Sequence, residues 1–284
     1  MGRQPWVPGG DGAAKARGRP APKMPVLGKT VKLRILGCSG GIGGDLRTTS
    51  MLIDSDLLID AGTGLGTLTL EELSRIDHVF LTHSHLDHIA CLPLMVDSVA
   101  RMRDKPLTVY ATLATLSILK GHVFNWSIWP DFTRVPNAER PFMRFETISI
   151  GQPKDLGGRT VTPIPAAHVV PAVGFWLDSG QGSLVYTGDT TSNDEFWSIV
   201  NEIHNLRYLI IETAFSDAQQ AIAIASKHLC PCMLADELKK MKVRPEIYIT
   251  HMKPGEDDLI MQQIEGSAAS HRPKMLKNDQ VFYF

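Results

Sequence analysis

Four side chains that can bind a metal ion lie within six consecutive positions of this 284-residue chain. They are His83, His85, Asp87 and His88, in the stretch FLTHSHLDH. The apolar residues before them are typical of a strand and those after them of a helix, so the four belong to one turn. Four ligands on one turn cannot all close a single tetrahedral site. The stretch therefore indicates two neighbouring metal ions with further ligands from elsewhere in the chain.

Candidates for these further ligands stand at the ends of other predicted strands. His168 follows a strand in AAHVVP, Asp189 follows one in VYTGDT, and His251 follows one in YITHMKP. Loops at strand ends on a rigid sheet are where α/β proteins place ligand-binding residues. We therefore expect all three side chains to join the histidine turn.

The seven predicted ligands form two sets and a bridge. The first ion takes His83, His85 and His168, and the second takes Asp87, His88 and His251. Asp189 bridges the two ions together with a shared hydroxide, because one carboxylate can bind two cations. Mixed nitrogen and oxygen ligands suit Zn²⁺, with manganese or iron as alternatives.

The elements that must position these ligands alternate between strand and helix. Strands are predicted at 31–37, 78–82, 107–111, 159–167, 174–178, 183–189, 207–213 and 246–250, with a hairpin at 50–62. Helices are predicted at 68–76, 88–102, 112–124, 194–203 and 217–242. One α/β domain over residues 29–284 explains this pattern most simply. Residues 1–28, rich in Gly, Pro and Arg, are predicted to be a disordered tail.

The span 122–145 interrupts the alternation. It is rich in aromatic residues and proline and has no clear period, so we predict a long loop or cap. Its side chains His122, Asn125, Trp126 and Trp129 are candidates for a wall against which a nucleotide base stacks. A contact in a homodimer, or a loop packed on itself, explains the same composition equally well.

Composition excludes several classes of protein. Lys+Arg number 29 and Asp+Glu 30, so the balanced charge argues against binding of long nucleic acid. No run of 18 apolar residues is present, and we expect no membrane span. The four cysteines show no disulfide framework, which favours reduced thiols and a cytoplasmic location.

Two further motifs are weak. The CSGGIGG loop lacks the Lys-Ser/Thr ending of a phosphate-binding loop, so a tight turn between strands is favoured. Cys230-Pro-Cys232 can be interpreted as a redox or metal-binding pair. Two small residues at a helix start are the interpretation that its composition favours.

The chain as a whole resembles the metallo-β-lactamase superfamily. Within it, HSHLDHIACLPLMVDS is similar to the signature of class II 3′,5′-cyclic-nucleotide phosphodiesterases. Other similar stretches are ILGCSGG, LLIDAGTGL, GHVFNWSIWPDF, YTGDT and ITHMKP, so the resemblance covers 31–284. It implies an αββα sandwich with a dinuclear zinc site at one edge. The implied partner is a small cyclic nucleotide, cAMP or cGMP.

Phosphodiester hydrolysis also fits the residues themselves. A hydroxide shared by two cations would attack the cyclic phosphate and break the 3′ bond, leaving a 5′-nucleotide. The departing oxygen needs a proton, and His228 is the candidate donor because a similar histidine follows an E-A/T-x-F turn in ribonuclease Z. Glu212, in IETAF, would orient it. The candidate catalytic residues are thus Asp87, Glu212 and His228, although a surface histidine and a helix-entry carboxylate remain alternatives.

A supporting residue is predicted behind the ligands. Asp60, in LIDAG, is expected to hold a ligand histidine from the side away from the metal. An ordinary turn aspartate is the alternative.

Other activities share the same metal ligands. A β-lactamase, a lactonase and a thioesterase are alternatives on this scaffold. A ribonuclease Z-like enzyme normally needs a basic arm to hold transfer RNA, and no Lys- or Arg-rich insertion is found in the domain. A protein that binds a cyclic nucleotide without cutting it would not need seven metal ligands.

Overall fold

The computed structural model of the protein describes residues 1–2 and 30–284. The predicted N-terminal tail lies outside the described residues, apart from its first two positions. Fourteen β-strands and eight α-helices are found in the described part of the chain. None of these helices combines the length and the hydropathy needed to cross a bilayer.

Seven strands form the first sheet. They are β1 (Lys32–Gly37), β2 (Ser50–Ile53), β3 (Leu57–Ile59), β4 (His78–Phe80), β5 (Leu107–Ala111), β6 (Met143–Thr147) and β14 (Val281–Tyr283). Their order across the sheet is β14-β1-β2-β3-β4-β5-β6. β3 to β6 are parallel, and the remaining pairs are antiparallel.

Seven more strands form the second sheet. They are β7 (Lys154–Asp155), β8 (Thr160–Pro165), β9 (Val173–Asp178), β10 (Ser183–Tyr186), β11 (Leu206–Glu212), β12 (Glu246–Thr250) and β13 (Lys274–Met275). Their order is β13-β12-β11-β10-β9-β8-β7. β10 to β13 are parallel, whereas β7, β8, β9 and β10 alternate in direction.

The helices cover the outer faces of the two sheets. They are α1 (Leu70–Arg75), α2 (Leu86–Ile89), α3 (Leu92–Val99), α4 (Leu113–His122), α5 (Asp194–Val200), α6 (Gln220–Ser226), α7 (Pro231–Leu238) and α8 (Asp257–Ala268). Their starts follow from local sequence. Thr69 and Glu72 form a reciprocal capping box on α1, and Thr112 and Asn193 cap α4 and α5 through their side chains.

Three apolar layers hold the chain together. The middle layer lies between the sheets, where Phe80 of β4 meets Phe175 of β9 edge to face at 5.7 Å. A second layer joins the first sheet to α3 and α4, and a third joins the second sheet to α5, α7 and α8. The predicted αββα sandwich is therefore confirmed.

Strand direction brings the polar strand ends to one edge. β4 runs parallel to β3 and β5, while β10, β11 and β12 run parallel to one another. β8 is antiparallel to β9, which is antiparallel to β10, so β8 and β10 run the same way. Consequently the chain leaves each of these strands at the edge where the predicted ligands follow.

Several predicted elements differ from those observed. The helix predicted at 88–102 is divided into α2 and α3, and the one predicted at 217–242 is interrupted between α6 and α7. β6, at the end of the predicted 122–145 loop, and all of α8 were not predicted. The pattern of α8 was available, since Ile260, Ile264 and Ala268 recur at helical spacing behind an acidic first turn.

Candidate metal centre

Two groups of side chains that match the two predicted ligand sets converge at the strand-end edge. The first group is His83, His85, His168 and Asp189, and the second is Asp87, His88 and His251. Within each group the ligand atoms lie within 4.8 Å of one another. Asp189 stands between the groups, because its Oδ2 lies 3.6 Å from Nε2 of His83 and 3.2 Å from Nε2 of His251.

The histidine turn owes its shape to a change from strand to helix. After β4 the chain stays extended, so His83 and His85 project to the same side with ring centroids 4.7 Å apart. His85 then caps the single turn of α2 with an extended backbone. This turn brings Asp87 and His88 round to the second group.

Asp60 lies behind two of the candidate ligand histidines. It is fully buried at the end of β3, and its Oδ2 lies 2.8 Å from Nδ1 of His88. Its Oδ1 accepts a hydrogen bond from the backbone N–H of Thr82 at 2.8 Å. One carboxylate thus fixes a ligand ring and the strand end that precedes the turn.

Thr82 is a supporting residue that sequence reasoning missed. Its hydroxyl donates to Asp60 at 2.8 Å and lies 3.0 Å from Nδ1 of His83. Asp60 therefore reaches two ligand histidines, one directly and one through Thr82. The signal was the hydroxyl residue immediately before the first histidine in LTHSH.

The two histidines that follow strands of the second sheet, His168 and His251, are positioned by backbone contacts. Nδ1 of His168 lies 3.1 Å from the carbonyl oxygen of Lys227, which can accept its proton. The backbone N–H of His251 donates to the carbonyl of Cys38 at 2.8 Å. A Cβ on Gly40 would lie 2.4 Å from the carbonyl oxygen of His251, so only glycine permits this approach. The glycine loop after β1 therefore holds a candidate ligand in place, and the predicted tight turn has a positioning role.

The donor atoms fit a pair of cations. Nε2 of His83, Nε2 of His88, both ring nitrogens of His251 and Oδ1 of Asp189 are buried without any hydrogen-bond partner. Buried polar atoms are ordinarily paired, and an unpaired group costs about 1–3 kcal/mol. Cations would supply partners for four of these five atoms, because only one of the two ring nitrogens of His251 can face the centre. The mixed set of imidazoles and carboxylates is one that Zn²⁺ and Mn²⁺ accept.

Burial controls the charge of the imidazoles. It lowers the pKa of His83 well below its usual value, that of His168 to about 4 and that of His251 to about 3. These rings are thus neutral near pH 7 and keep a lone pair for a metal. For His88, burial opposes the charge, but the carboxylates of Asp189 and Asp60 outweigh it and raise its pKa well above the usual value.

A buried Glu–His pair borders the cluster. Nδ1 of His228 lies 2.7 Å from Oε1 of Glu212, which also accepts the backbone N–H of Thr190 at 3.0 Å. The His228 ring stacks on that of His251 at 5.3 Å. Burial opposes protonation of His228, but the Glu212 carboxylate outweighs it and raises the pKa of the ring. The structure therefore brings both residues to the candidate centre, Glu212 at the end of β11 and His228 in the break between α6 and α7.

The predicted base-stacking segment lies elsewhere. α4 starts beside the end of β5 and runs back about 15 Å along the sheet, so the segment that follows lies at the starts of β5 and β6. There the backbone N–H of Met143 donates to the carbonyl of Phe132. The structure thus does not bring the residues of this segment to the histidine cluster, and it does show a loop packed on itself.

The predicted wall residues have other surroundings. The side chain of Asn125 accepts the backbone N–H groups of Ser127 and Ile128 and donates to Gly121, so its amide organises its own turn. Trp129 packs against the core beneath the first sheet. His122 and Trp126 are exposed at this far end.

Comparison with protein families gives one match over most of the chain. The sequence model of the family described as the beta-lactamase superfamily domain matches residues 56–259. This range includes every candidate ligand.

Two bacterial relatives carry the name of a cyclic-nucleotide phosphodiesterase. A probable 3′,5′-cyclic-nucleotide phosphodiesterase of Yersinia pestis is 27% identical, covering 77% of this chain and 77% of the relative. A 3′,5′-cyclic-nucleotide phosphodiesterase of Aliivibrio fischeri is 24% identical, covering 73% and 74%. The crystal structure of unliganded yeast PDE1 superimposes with a TM-score of 0.76 at 18% identity, covering 90% of this chain and 99% of that one. This last likeness concerns the fold.

Proposed function

Because the chain belongs to the beta-lactamase superfamily, we propose that it is a metal-dependent phosphodiesterase that opens 3′,5′-cyclic nucleotides to 5′-nucleotides. The observation that carries the reaction is the placement of His228, a proton donor, against seven converging ligand side chains. The similarity to two bacterial relatives that bear the phosphodiesterase name supports the class of substrate.

The residues that would hold two divalent cations are the two groups that meet at Asp189. When bound, such ions supply Lewis-acid activation of a water and of a phosphoryl group. The chain itself keeps the ligand rings in place through Asp60, Thr82 and the glycine loop that holds His251.

Proton transfer falls to His228. Its Nδ1 is bonded to Glu212, so Nε2 is the atom that donates to the departing 3′ oxygen. Glu212 acts through His228 as a positioning residue, since it holds the ring and favours its charged form. A positioned acid of this kind contributes typically about 10²–10⁴-fold to the rate.

Substrate approaches from the partly open side of the cluster. His83, His88, Asp189 and His251 are at most 1% exposed, whereas His85 and Asp87 are only partly buried. A phosphate entering beside these two residues would meet both ligand groups and His228. Asp87 therefore belongs to the substrate side of the second group, which supports its place among the candidate catalytic residues.

The proposal is tested with the purified, zinc-loaded full chain on cAMP and cGMP, with chromatography of the products before and after chelation. We expect chelator-sensitive release of 5′-AMP or 5′-GMP. Asp189→Ala should lose bound metal and nearly all activity. The matched control is Asp178→Asn. The Asp178 carboxylate also accepts several hydrogen bonds, but it lies at the end of β9 away from the candidate centre, so this variant should keep its metal and its activity.

Failure would take a specific form. A protein that retains two metal ions but turns over neither cyclic nucleotide would refute this substrate class. The same preparation would then be assayed with β-lactams, lactones, thioesters and precursor transfer RNA.

A further inference from the structure

A third cluster of metal-binding side chains lies outside the candidate centre. It contains Asp217, Cys230 and Cys232, whose ligand atoms lie within 4.8 Å of one another. It shares no residue with the other groups found in the described part of the chain. Cys230 and Cys232 flank the proline that begins α7, while Asp217 comes from the short 3₁₀ turn before α6.

The spacing of the thiols suits one tetrahedral ion. The two Sγ atoms are 3.4 Å apart. A zinc ion with bonds of about 2.3 Å to both would separate them by about 3.8 Å, a small adjustment from the observed distance. A disulfide bond needs about 2.05 Å, and both residues are free thiols. Geometry therefore favours a shared ion over a covalent bond.

The carboxylate is held toward the thiols by the fold. Oδ1 of Asp217 accepts the backbone N–H of Cys232 at 2.8 Å, and its own N–H donates to the side chain of Gln263 on α8 at 2.9 Å. The amide of Gln220 donates to Sγ of Cys232 at 3.2 Å. These bonds join α6, α7 and α8 around one point. A pair of small residues at a helix start would not require a carboxylate from another segment.

The three side chains differ in solvent exposure, as expected for a metal site with one coordination position open to solvent. Cys230 is fully buried, while Cys232 and Asp217 are partly exposed. Burial raises the pKa of the Cys230 thiol to about 12, so the pair is unreactive as a free nucleophile near pH 7. A metal ion converts such thiols to thiolates by displacing their protons.

We propose that Asp217, Cys230 and Cys232 bind a zinc ion, with solvent in the fourth position. Two thiolates and a carboxylate are a ligand set that zinc accepts. The ion would join the turn before α6 to the start of α7. His228 lies between these points, two residues before Cys230, so the site would fix the segment that carries the proton donor. This site does not depend on the proposed activity.

Cobalt distinguishes this site from the main centre. The main centre offers only nitrogen and oxygen, whereas Co²⁺ bound to thiolate gives an intense near-ultraviolet charge-transfer band. The full chain is reduced, stripped of metal and titrated with Co²⁺, and bound metal is counted. We expect the band, and one more equivalent of metal than in the Cys230→Ser/Cys232→Ser double variant. Cys91→Ala removes a free thiol outside the cluster and should retain both signals.

A second variant guards against misfolding, because Cys230 is buried. Asp217→Asn changes a partly exposed side chain and keeps both thiols; we expect it to weaken cobalt binding at this site by roughly tenfold or more. Three results would overturn the proposal: equal metal content in wild type and double variant, a band that disappears in Cys91→Ala, or a Cys230–Cys232 disulfide in the metal-loaded protein by mass spectrometry.

Discussion

Each candidate ligand histidine has one ring nitrogen that faces away from the centre. The histidines differ in which group contacts that nitrogen. His88 is held by Asp60, His83 by the Thr82 hydroxyl and His168 by a backbone carbonyl. Such partners fix the tautomer and orientation of a metal-binding ring. His251 has no hydrogen-bond partner on its outward-facing ring nitrogen, Nδ1. Its orientation depends instead on its left-handed backbone, with φ at 65°, and on the glycine loop against it.

Asp60→Asn tests the support from behind. The amide keeps the size of the side chain but removes the charge that orients His88 and Thr82. We expect metal affinity to fall by about 10–100-fold, with activity falling in parallel. Metal content after dialysis against a graded chelator series measures this. Asp178→Asn, run alongside, should match wild type, and an Asp60→Asn protein that holds metal equally well would remove Asp60 from this role.

His228→Gln tests the proton donor. Metal content should remain, because neither of the two proposed ligand sets includes His228, while kcat falls by about 10²–10⁴-fold with little change in KM. Glu212→Gln should lower kcat less, since the ring stays in place but loses the carboxylate that charges it. Rates on a substrate analogue with a better leaving group give the deciding readout. That analogue should restore His228→Gln toward wild type, and equal losses on both substrates would indicate a structural role.

At the scale of the elements, the candidate ligands lie at one edge of the two sheets, and a group of ion pairs joins the sheets at the opposite edge. Arg159, just before β8, binds both oxygens of Asp56 at 2.6 and 2.7 Å and one oxygen of Asp54 at 3.0 Å. The two aspartates belong to the turn between β2 and β3. One guanidinium thus joins the two sheets at the end away from the metal ligands.

Arg159→Leu should lower the free energy of unfolding at pH 7 by about 1–2 kcal/mol. This loss lies between that expected for breaking an exposed ion pair and that for breaking a buried one. The difference from wild type should shrink in acid. Burial opposes ionisation of Asp56, but Arg159 outweighs it and holds its pKa below the ordinary 3.8. A carboxylate whose pKa is lower in the folded state than in the unfolded state stabilises the fold at pH values above its unfolded-state pKa. This stabilisation is lost as the pH falls through the folded-state pKa.

Urea unfolding at pH 7 and below pH 3.8 measures the effect. The control is Arg134→Leu, since Arg134 is 72% exposed and lies 3.8 Å from Asp131. It should change stability by less than about 0.5 kcal/mol at either pH. A difference for Arg159→Leu that grows in acid would contradict the assigned sign.

Variants of two tryptophans in the segment after α4 distinguish a packing role of this segment from a role in substrate binding. Trp129→Ala should lower the free energy of unfolding by about 2–3 kcal/mol, because its ring packs against the core. Trp126 is 61% exposed, so Trp126→Ala should have a small effect. Neither should change KM for a cyclic nucleotide. An increased KM in Trp126→Ala, with stability unchanged, would restore this segment to the substrate site.

What sequence could predict at this level depended on spacing along the chain. The candidate ligands follow strands or form a compact motif, so their positions along the chain predicted that their side chains would lie close together. Thr82 was missed because its role is set by the distance to Asp60 across two strands. For the segment after α4, a base-stacking wall and a self-packed loop explained the sequence equally well, because aromatic composition does not reveal at which end of a sheet a loop lies. The link between Asp217 and the cysteines likewise appears only when α6 and α7 fold together.

On the scale of the whole molecule, the candidate centre joins the two sheets. His83, His85, Asp87 and His88 follow β4 of the first sheet, whereas His168, Asp189 and His251 follow strands of the second. Each predicted ion would draw ligands from both sheets. Metal binding at this centre would therefore be coupled to the packing of the sandwich.

Metal removal should consequently lower thermal stability. Free zinc at about 100 times a site's Kd stabilises the folded state by about 2.7 kcal/mol, provided that the unfolded chain does not bind it. We expect the Tm to rise with the logarithm of free zinc in a buffered series. Asp189→Ala should show a reduced slope. A Tm that does not change with zinc would show that the folded chain does not bind the ion preferentially.

The division of the ligands between the sheets also sets the order of events during synthesis. The histidine turn emerges early, whereas His251 follows β12, near the end of the chain. A growing polypeptide therefore carries exposed ligand side chains long before a pocket can enclose an ion. A chain that stops short of β12 would keep the HSHLDH motif yet lack the residue that completes the second group. Loading of the second group with metal would thus report that translation has passed the last ligand.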